Sequence, residues 1–395
     1  MNLIVLVGWY LLAGLLHLIA LPYLIWRSRQ EKYHLSLPAR FWKPASLKKP
    51  SYDLWIHACS LGEVKAAAAI VDEAKARGLS ILITVMTQTG YEEAKRYKGV
   101  ESHFLPFETF LPWWAPQVGM LVVVEAEIWP ILFWSARLRG ARVVMASARI
   151  SDRSWAGYRR LSFLYRAAFA ACSYLLVQRP IDHERFLSLG AHDVRIAGNI
   201  KALVRHQPTR FYPKQPGLTI VGASTHEGEE IIIFEAWRMW RAQQSVENRL
   251  WIVPRHPERF KAVAFLLQER AQQVGLSFGY WQEGGSAKSD VVLVDRMGEL
   301  LNIYAISDLV ILGGAFVPVG GHNLLEPVVL GCRVVTGEHL FNQEALLELV
   351  EGVIVTTPEQ LAQAIDEALL LPPPRLKVEA DYSTLWRDLD GLVHA

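Results

Sequence analysis

The stretch YDLWIHACSLGE (residues 52–63) joins a short apolar run to a turn and the start of a helix. Its first part, residues 52–58, is almost continuously apolar, which is typical of a strand covered on both faces in a parallel sheet. Ser60 and Gly62 then favour a turn, and Glu63 opens a helix. Because parallel α/β sheets bind ligands at the carboxyl ends of their strands, this stretch predicts both a fold class and the edge that carries a site.

The same alternation continues along the chain and restarts after a polar, proline-bearing linker at 205–217. In the first half, strands are predicted at 52–58, 80–85, 121–124, 142–146 and 175–177. In the second half, they are predicted at 218–221, 251–253, 291–294, 309–312 and 334–335. Stretches with helical spacing lie between them, including one long helix at 155–171. Strands that alternate with helices imply an α/β fold, here with two Rossmann-like domains at 31–205 and 206–395 that face a central crevice.

Composition narrows the class of protein. The chain has 395 residues, of which 51% are apolar, and a formal charge of +2, which fits two folded domains and excludes a disordered chain. No block carries a dense Lys/Arg run, so no nucleic-acid partner is expected. Cys59, Cys172 and Cys332 are far apart and form no CxxC pair, so neither a structural zinc site nor a disulfide framework is expected. A reducing compartment fits best.

Residues 3–26 predict a membrane anchor, because His17 is their only strongly polar member and about 20 apolar residues cross the hydrocarbon core of a bilayer. No basic residue precedes this stretch, whereas Arg27, Arg29 and Lys32 follow it. That asymmetry places the rest of the chain on the cytoplasmic side. We therefore expect a single-pass anchor at 1–30. A helix that lies in the membrane interface is the alternative, and Pro22 and His17 keep it open.

Polar residues that follow the predicted strands are the candidates for chemistry in the first half. Glu63 could act as a general base at the sheet edge, although a carboxylate that only complements the helix dipole is equally compatible with the sequence. Glu125 and Glu127 follow another strand, where a charge pair at a helix start is the simpler interpretation. Lys201, in Gly198-Asn-Ile-Lys201, could neutralise an anion, or it could be a solvated lysine.

The second half carries stronger signals for anion binding. Ser224 and Thr225 follow a strand and precede a helix, as hydroxyl ligands or caps do, and Arg255 follows Pro254 at the end of the next strand. The glycine-rich segment 313–321 predicts an anion cradle before a helix. One turn into that helix, Glu326 could accept hydrogen bonds from ribose hydroxyls. The first strand is followed by no GxGxxG, and no GxxxxGK[ST] occurs, which argues against a nicotinamide dehydrogenase and against ATP hydrolysis.

Taken in order, these segments resemble the 3-deoxy-D-manno-octulosonic acid (Kdo) transferases of lipopolysaccharide biosynthesis, a GT-B glycosyltransferase family. The resemblance covers almost the whole chain. Its motifs are WIHACSLGE (55–63), VEAEIWP (124–130), SARIS (147–151), GNIK (198–201), STHEGEE (224–230), VPRHPERF (253–260), DRMGEL (295–300) and GGHNLLEP (320–327).

The resemblance implies a reaction and a set of roles. CMP-Kdo would be the donor and the lipid A precursor (lipid IVA) the acceptor, at the inner membrane, with inversion of configuration and with neither metal nor cofactor. Glu63 matches the general base, and Glu125 and Lys201 match residues that support the transition state. The residues expected to bind CMP are Ser224, Thr225, Pro254, Arg255, Met297, Gly298, Glu299, Gly320, Gly321, Asn323, Leu324, Leu325 and Glu326.

Two other functions stay open at this point. Another GT-B transferase or an epimerase that uses a UDP-sugar would share Glu326 and the glycines, but it would not need the SLGE motif. A catalytically inert, membrane-tethered binding protein could use the same scaffold. The position of the last helix also stays open, because it could pack within the second domain or back on the first.

Overall fold

The computed structural model describes residues 2–125, 127–203, 208–214, 216–282, 288–377 and 379–393. The chain forms two compact units, Met1–Val204 with Glu379–Ala395, and Arg205–Val378. Of the predicted linker, residues 205–207 and 215 lie outside the described residues, as does Ala126 between Glu125 and Glu127. Residues 208–214 belong to the second unit, where the Asn302 side chain accepts hydrogen bonds from the backbone amides of Thr209 (2.8 Å) and Arg210 (3.0 Å).

The first unit contains a parallel sheet between layers of helices. Its strands are β1 Ser51–His57, β2 Ile81–Val85, β3 Glu101–Phe104, β4 Gln117–Val124, β5 Arg142–Ala148, β6 Tyr174–Val177 and β7 Val194–Ile196. Its first helices are α1 Asn2–Arg27, α2 Ser36–Phe41, α3 Leu61–Ala66, α4 Ala68–Ala76, α5 Gln88–Ala94, α6 Leu111–Trp114, α7 Pro130–Arg137, α8 Asp152–Arg160, α9 Ser162–Phe169 and α10 Pro180–Ser188. The strand order β3-β2-β1-β4-β5-β6-β7 reverses direction between β1 and β4, so this is a doubly wound sheet with its ligand-binding edge at that point.

The second unit repeats the architecture. Its strands are β8 Leu218–Thr225, β9 Asn248–Pro254, β10 Phe278–Tyr280, β11 Val291–Leu293, β12 Leu309–Leu312, β13 Arg333–Thr336, β14 Val350–Glu351, β15 Ile354–Val355 and β16 Arg375–Leu376. Its helices are α11 Glu229–Arg241, α12 Phe260–Gln273, α13 Leu300–Tyr304, α14 Leu325–Val329, α15 Glu344–Leu347 and α16 Leu361–Leu370. The parallel sheet has the order β10-β11-β9-β8-β12-β13-β15, with its point of reversal between β8 and β12, and β14 pairs with β16 in a separate antiparallel ribbon.

The strands predicted from continuous apolar runs are all present, and the strands missed by the sequence lie at the sheet edges. β3, β7, β10 and β15 are short, and most of their residues are only partly buried. A strand that is open to solvent on one side carries polar residues such as Glu101 and Arg195, so it shows no continuous apolar run.

The single helix predicted at 155–171 is wrong, because the backbone leaves the helical conformation at Leu161 (φ −105°, ψ 23°). The preceding α8 begins earlier, at Asp152, where the Ser151 side chain accepts a hydrogen bond from the Ser154 amide. None of the α8 residues is buried, whereas α9 buries Leu164 and Phe169. The two segments therefore pack differently, which the uniform spacing of apolar residues does not reveal.

The last helix, α17 (Ser383–Val393), belongs to the first unit rather than to the second domain, in which the sequence-based boundary 206–395 had included it. It buries Leu385 and Leu389 in the same core cluster as Leu54 and Met120. Asp388 accepts hydrogen bonds from the Tyr174 hydroxyl (2.9 Å) and from Arg142 (2.7 Å). The chain therefore returns to complete the first unit after the second.

The N-terminal helix α1 is long and apolar, and Ile4–Arg27 has a mean hydropathy of 2.3 with few charged residues, so it qualifies as a candidate membrane span by length and composition. One face packs on the first unit, where Leu6 and Ala13 are buried. The Trp9 indole donates to Glu108 Oε2 (2.6 Å) and the Tyr10 hydroxyl donates to the Thr109 carbonyl (2.9 Å). The other face is exposed and apolar.

Candidate active site

Glu63 lies in the first turn of α3, directly after β1. Its carboxylate turns back and accepts hydrogen bonds from the Cys59 amide (2.5 Å) and the Ser60 hydroxyl (3.3 Å), on the two residues that precede the helix. Burial, together with the negative charges of Glu125 and Glu127, raises the pKa of Glu63 to about 7. Glu63 therefore exchanges a proton near neutral pH, which is the property of a general acid or base.

Glu125 follows β4 with a positive φ of 62°, a strained conformation for a residue with a side chain. The turn directs its buried carboxylate toward two cations. Lys201 Nζ lies 2.9 Å from Glu125 Oε1, and Arg149 Nε lies 3.6 Å from Glu125 Oε2. The structure thus brings together the predicted residues Glu125 and Lys201, which are far apart in the sequence.

Glu127 completes an acidic group around Glu63. One side-chain ligand atom from each of Cys59, Glu63 and Glu127 lies within 4.8 Å of the others. The Trp129 indole donates to Glu127 Oε2 (2.8 Å) and fixes that carboxylate. Burial and the charges of Glu127 and Glu63 raise the pKa of the Cys59 thiol. The charge of Glu127 likewise contributes to the raised pKa of Glu63.

A buried polar network holds Lys201 in place, and the sequence analysis missed its central residue, Gln178. The Gln178 amide nitrogen donates to the Ser147 carbonyl (2.9 Å), and its oxygen accepts from Asn199 (3.1 Å). Asn199 Oδ1 in turn accepts from the Lys201 amide (2.9 Å). Gln178 directly follows the predicted strand 175–177, so the rule that ligand-edge residues follow strands could have identified it.

In the second unit, the glycine-rich segment already holds an anion, the carboxylate of Glu229. Its oxygens accept hydrogen bonds from the amides of Gly314 (2.7 Å), Ala315 (3.1 Å) and Phe316 (2.9 Å), and from the His226 amide (2.8 Å). Glu229 is fully buried. This contact ties the turn after β8 to the loop after β12, at the point where the strand order of the sheet reverses.

Gly320 and Gly321 form a tight turn in the same loop. Both have positive φ (110° and 80°), and both donate their amides to the Gly314 carbonyl, at 3.0 and 2.7 Å. A Cβ on Gly320 would lie 2.1 Å from the Asn342 side chain, so only glycine fits there. The sequence predicted these amides as donors to a bound anion, whereas the structure uses them within the loop.

The residues that follow β8 and β9 divide into structural and accessible groups. Thr225 is buried and donates its hydroxyl to Glu230 (2.8 Å), which also receives the Arg259 guanidinium at 2.7 and 3.0 Å. Ser224 has a positive φ of 55° and Pro254 is buried, whereas Arg255 is exposed at the sheet edge. Arg255 is thus the cation of this group that can reach a ligand.

A histidine pair lies beside this edge, and the sequence analysis assigned it no role. The Nε2 atoms of His226 and His322 are 2.9 Å apart, and the His256 ring centroid lies 5.2 Å from that of His226. Burial, together with the electrostatic effect of His226, Arg255 and His256, lowers the pKa of His322 to about 4. At neutral pH the pair therefore shares a hydrogen bond between uncharged rings.

The remaining predicted donor residues lie on neighbouring loops of the same sheet edge. Asn323 donates to Glu326 Oε1 (3.0 Å), which orients that carboxylate in the first turn of α14. Leu324 and Leu325 are buried beneath them. The others follow β11, where Met297 is exposed, Gly298 has a positive φ of 86°, and Glu299 accepts from the Tyr212 hydroxyl (2.7 Å).

Two doubly wound parallel sheets in one chain, each with charged and polar side chains at the point where its strand order reverses, are the architecture of the GT-B fold. MurG from Acinetobacter baumannii shares this fold, with a TM-score of 0.51 over 87% of this chain and 100% of that chain, at 10% sequence identity.

Sequence comparison then identifies the family. A family profile described as 3-deoxy-D-manno-octulosonic-acid transferase (kdotransferase) matches residues 32–204. The 3-deoxy-D-manno-octulosonic acid transferase of Bordetella pertussis is 33% identical over 92% of this chain and 91% of that protein. The enzyme of the same name from Haemophilus influenzae is 35% identical over 81% of this chain and 80% of that protein. The chain belongs to the 3-deoxy-D-manno-octulosonic acid transferase family and is a glycosyltransferase.

Proposed function

We propose that this enzyme transfers Kdo from CMP-Kdo to the lipid A precursor, with inversion of configuration, without a metal ion, and with Glu63 as general base. The observation that carries the proposal is the environment of Glu63 at the carboxyl end of β1 in a chain of this family. Its pKa of about 7 leaves much of the side chain ionised at neutral pH while it keeps a high affinity for a proton.

The reaction forms one carbon–oxygen bond, breaks another, and transfers one proton. The acceptor hydroxyl oxygen bonds to the anomeric carbon of Kdo, while the bond from that carbon to the phosphate oxygen of CMP breaks. The hydroxyl proton passes to Glu63, and CMP departs with the electron pair of the broken bond. Attack from the face opposite the leaving group inverts the configuration, and no covalent enzyme intermediate is required.

Glu125 and Lys201 would act on charge that develops during this step. Because Glu125 Oε1 holds Lys201 Nζ at 2.9 Å, the ammonium group is fixed before substrate arrives. A fixed cation needs no rearrangement to stabilise negative charge in the transition state, which is where such a group is most effective. Arg149, which lies 3.6 Å from the other oxygen of Glu125, contributes a second positive charge beside that carboxylate.

The second unit would bind the CMP part of the donor. Arg255 is exposed and has the planar donor pattern that suits a phosphate. Glu326, oriented by Asn323, presents a carboxylate to ribose hydroxyls. The loop amides of Gly320 and Gly321 are already used within the fold, so Arg255 rather than an amide cradle would carry most of the phosphate binding.

We further propose that α1 attaches the enzyme to the inner membrane, with the catalytic units on the cytoplasmic face. The acyl chains of the acceptor reside in that membrane, and the basic residues Arg27, Arg29 and Lys32 at the end of α1 match an anionic cytoplasmic surface.

Release of CMP from CMP-Kdo, measured with and without lipid IVA, tests the proposed function. We expect CMP release that depends on the acceptor and a product with one or more added Kdo residues by mass spectrometry. Turnover of a UDP-sugar together with inactivity toward CMP-Kdo would instead support the transferase or epimerase alternative. Binding of CMP-Kdo without any turnover would support an inert binding protein.

A further inference from the structure

α1 has two apolar faces, and only one of them is covered by protein. The residues with reduced exposure recur every three or four positions along the whole helix, as in a stripe that packs on a surface. These residues are Val5, Leu6, Trp9, Tyr10, Ala13, Gly14, His17, Ala20, Leu21, Leu24, Arg27 and Ser28. Its buried members, Leu6, Ala13 and His17, extend over more than two turns, so the helix is docked along its side rather than at one end only.

The docked face makes specific contacts as well as apolar ones. Trp9 donates to the buried carboxylate of Glu108, which also accepts from the Ile131 amide (2.9 Å). His17 Nδ1 lies 2.9 Å from the Thr109 hydroxyl, and its ring packs edge-on against Phe41 and Phe107, with ring centroids 5.5 and 5.3 Å apart. These contacts tie the first half of α1 to the globular part of the same unit.

This arrangement is incompatible with a helix that crosses the bilayer. A spanning helix is surrounded by lipid or by other membrane segments over roughly 30 Å, which is about 20 residues. Here the stretch from Leu6 to His17 packs on the globular part of the same unit, where it contacts Glu108 and Thr109. To span the bilayer, α1 would have to leave this surface, and the buried Glu108 carboxylate would lose its hydrogen bond from the Trp9 indole.

The uncovered face has the composition of a membrane-facing surface. Its large apolar side chains are between 44% and 79% exposed, among them Ile4, Val7, Leu11, Leu12, Leu15, Leu16, Leu18, Ile19 and Ile25. Trp113, which is 75% exposed and packs edge-on against Tyr10, extends the same surface onto the globular unit. Tyr23 and Trp26 at the end of the helix, followed by Arg27 and Arg29, suit the headgroup region of a bilayer with anionic lipids.

We propose that α1 lies in the plane of the membrane, with its exposed apolar face in the headgroup and acyl boundary of one leaflet and its other face docked on the first unit. This inference rests on the proposed attachment to the inner membrane and specifies its geometry. An in-plane helix reaches about 5 to 10 Å into the leaflet and leaves both of its ends on the same side as the globular unit.

A disulfide test distinguishes the docked helix from a spanning one. A Cβ built on Gly14 would lie 3.9 Å from Thr109 Cγ2, whereas nothing lies within 4 Å of a Cβ on Gly8, which is on the exposed face. The test uses the full chain in sealed vesicles of phosphatidylethanolamine and phosphatidylglycerol, with the globular units outside. We expect the pair Gly14→Cys and Thr109→Cys to form a disulfide under mild oxidation, and the pair Gly8→Cys and Thr109→Cys to form none. Absence of the first disulfide in vesicle-bound protein, or equal formation of both, would overturn the proposal.

Labelling of the N-terminus gives an independent readout in the same vesicles. Asn2→Cys should react with a membrane-impermeant maleimide before detergent is added, to the same extent as Ala156→Cys, which lies in α8 and is exposed. Labelling of Asn2→Cys only after permeabilisation would show that α1 crosses the bilayer. Failure of the full chain to bind the vesicles would also overturn the proposal.

Activity is measured separately on lipid IVA dispersed in detergent. If the disulfide and labelling results contradict the in-plane helix but CMP release is retained, only the in-plane helix is wrong. If the disulfide and labelling results support the in-plane helix but no CMP is released, the proposed function is wrong.

Discussion

At the scale of single residues, the groups around Glu63 determine its pKa. Its two hydrogen bonds, to the Cys59 amide and the Ser60 hydroxyl, favour the ionised form, whereas burial and the carboxylates of Glu125 and Glu127 favour the protonated form. The balance gives a pKa of about 7. A glutamate that only complemented a helix dipole would have a pKa lowered by the dipole, so this environment favours a role in proton transfer.

Replacement of Glu63 by glutamine should remove the base and keep the shape of the side chain. We expect kcat for Kdo transfer to fall by about 10²- to 10⁴-fold, which is the range for a lost general base. CMP affinity, measured by calorimetry, should be unchanged, because the residues proposed to bind CMP belong to the second unit. Glu92→Gln, an exposed glutamate in α5, is the matched control and should retain full activity. Equal turnover of Glu63→Gln and the control would exclude Glu63 as the base.

The pH profile of kcat/KM should report the same group. Since the base must be deprotonated, activity should rise with pH through about 7 and level off above it. Glu127→Gln removes one negative charge beside Glu63, so it should lower the Glu63 pKa and move the rising limb to lower pH by about one unit or less. A limb that stays in place in Glu127→Gln would mean that another group titrates there.

The sequence identified residues of the site in the first unit, but it did not identify the side chains that they contact. Glu63, Glu125 and Lys201 each follow a strand or begin a helix at the ligand edge, which is a local signal. The contact between Lys201 and Glu125, and the support from Gln178, depend on side chains brought together from distant strands of the sheet. The pairing of His226 with His322 is of the same kind, and no local pattern encodes it.

At the scale of elements, Glu229 determines how the turn after β8 and the loop after β12 fit together. Its carboxylate supplies the acceptors for the amides of Gly314, Ala315 and Phe316, groups that would otherwise be buried without partners. The glycine pattern predicted a cradle for the anion of a ligand, whereas the amides of residues 314–316 bind a carboxylate of the protein itself. It could not indicate that the anion is part of the chain, because Glu229 lies on a different loop.

Glu229→Ala should destabilise the second unit strongly. Each buried amide left without an acceptor costs about 1 to 3 kcal/mol, so we expect the free energy of unfolding to fall by about 3 kcal/mol or more. CMP affinity should fall as well, because the loop leading to Asn323 and Glu326 loses its anchor. Urea unfolding measures the first effect and calorimetry the second.

The matched control for this change is Glu227→Ala, which removes a neighbouring glutamate that is exposed. Its free energy of unfolding should stay within about 0.5 kcal/mol of the parent value. If Glu229→Ala were as stable as this control, the amides would have to find other partners, and the proposed role of Glu229 would be wrong.

The elements that the sequence missed share a physical cause. Central strands such as β4 are buried on both faces and show as apolar runs, whereas the edge strands β3 and β7 contain polar residues such as Glu101 and Arg195, which interrupt any apolar run. The separation of α8 from α9 at Leu161 was missed because neither a glycine nor a proline marks the position where the backbone leaves the helical conformation. Local patterns thus predicted the centre of each sheet but not its margins.

At the scale of the whole molecule, the first unit depends on the last residues of the chain. Leu385→Ala in α17 should lower its free energy of unfolding by about 2 to 5 kcal/mol, the usual cost of truncating a fully buried leucine. In limited proteolysis, fragments of the first unit should disappear at lower urea concentrations while the second unit survives. Arg387→Ala, on the exposed side of the same helix, should leave both units unchanged. Simultaneous loss of both units in Leu385→Ala would contradict their independence.

The return of α17 to the first unit also determines when that unit can be completed during synthesis. The ribosome translates residues 205–378 between the end of the first sheet and the start of the segment that covers it. At typical bacterial elongation rates this interval lasts roughly 10 to 35 seconds. During that time the apolar surface around Leu54 and Met120 lacks the cover of Leu385 and Leu389, and it is open to chaperones and to aggregation. The nascent enzyme therefore completes its second unit before its first.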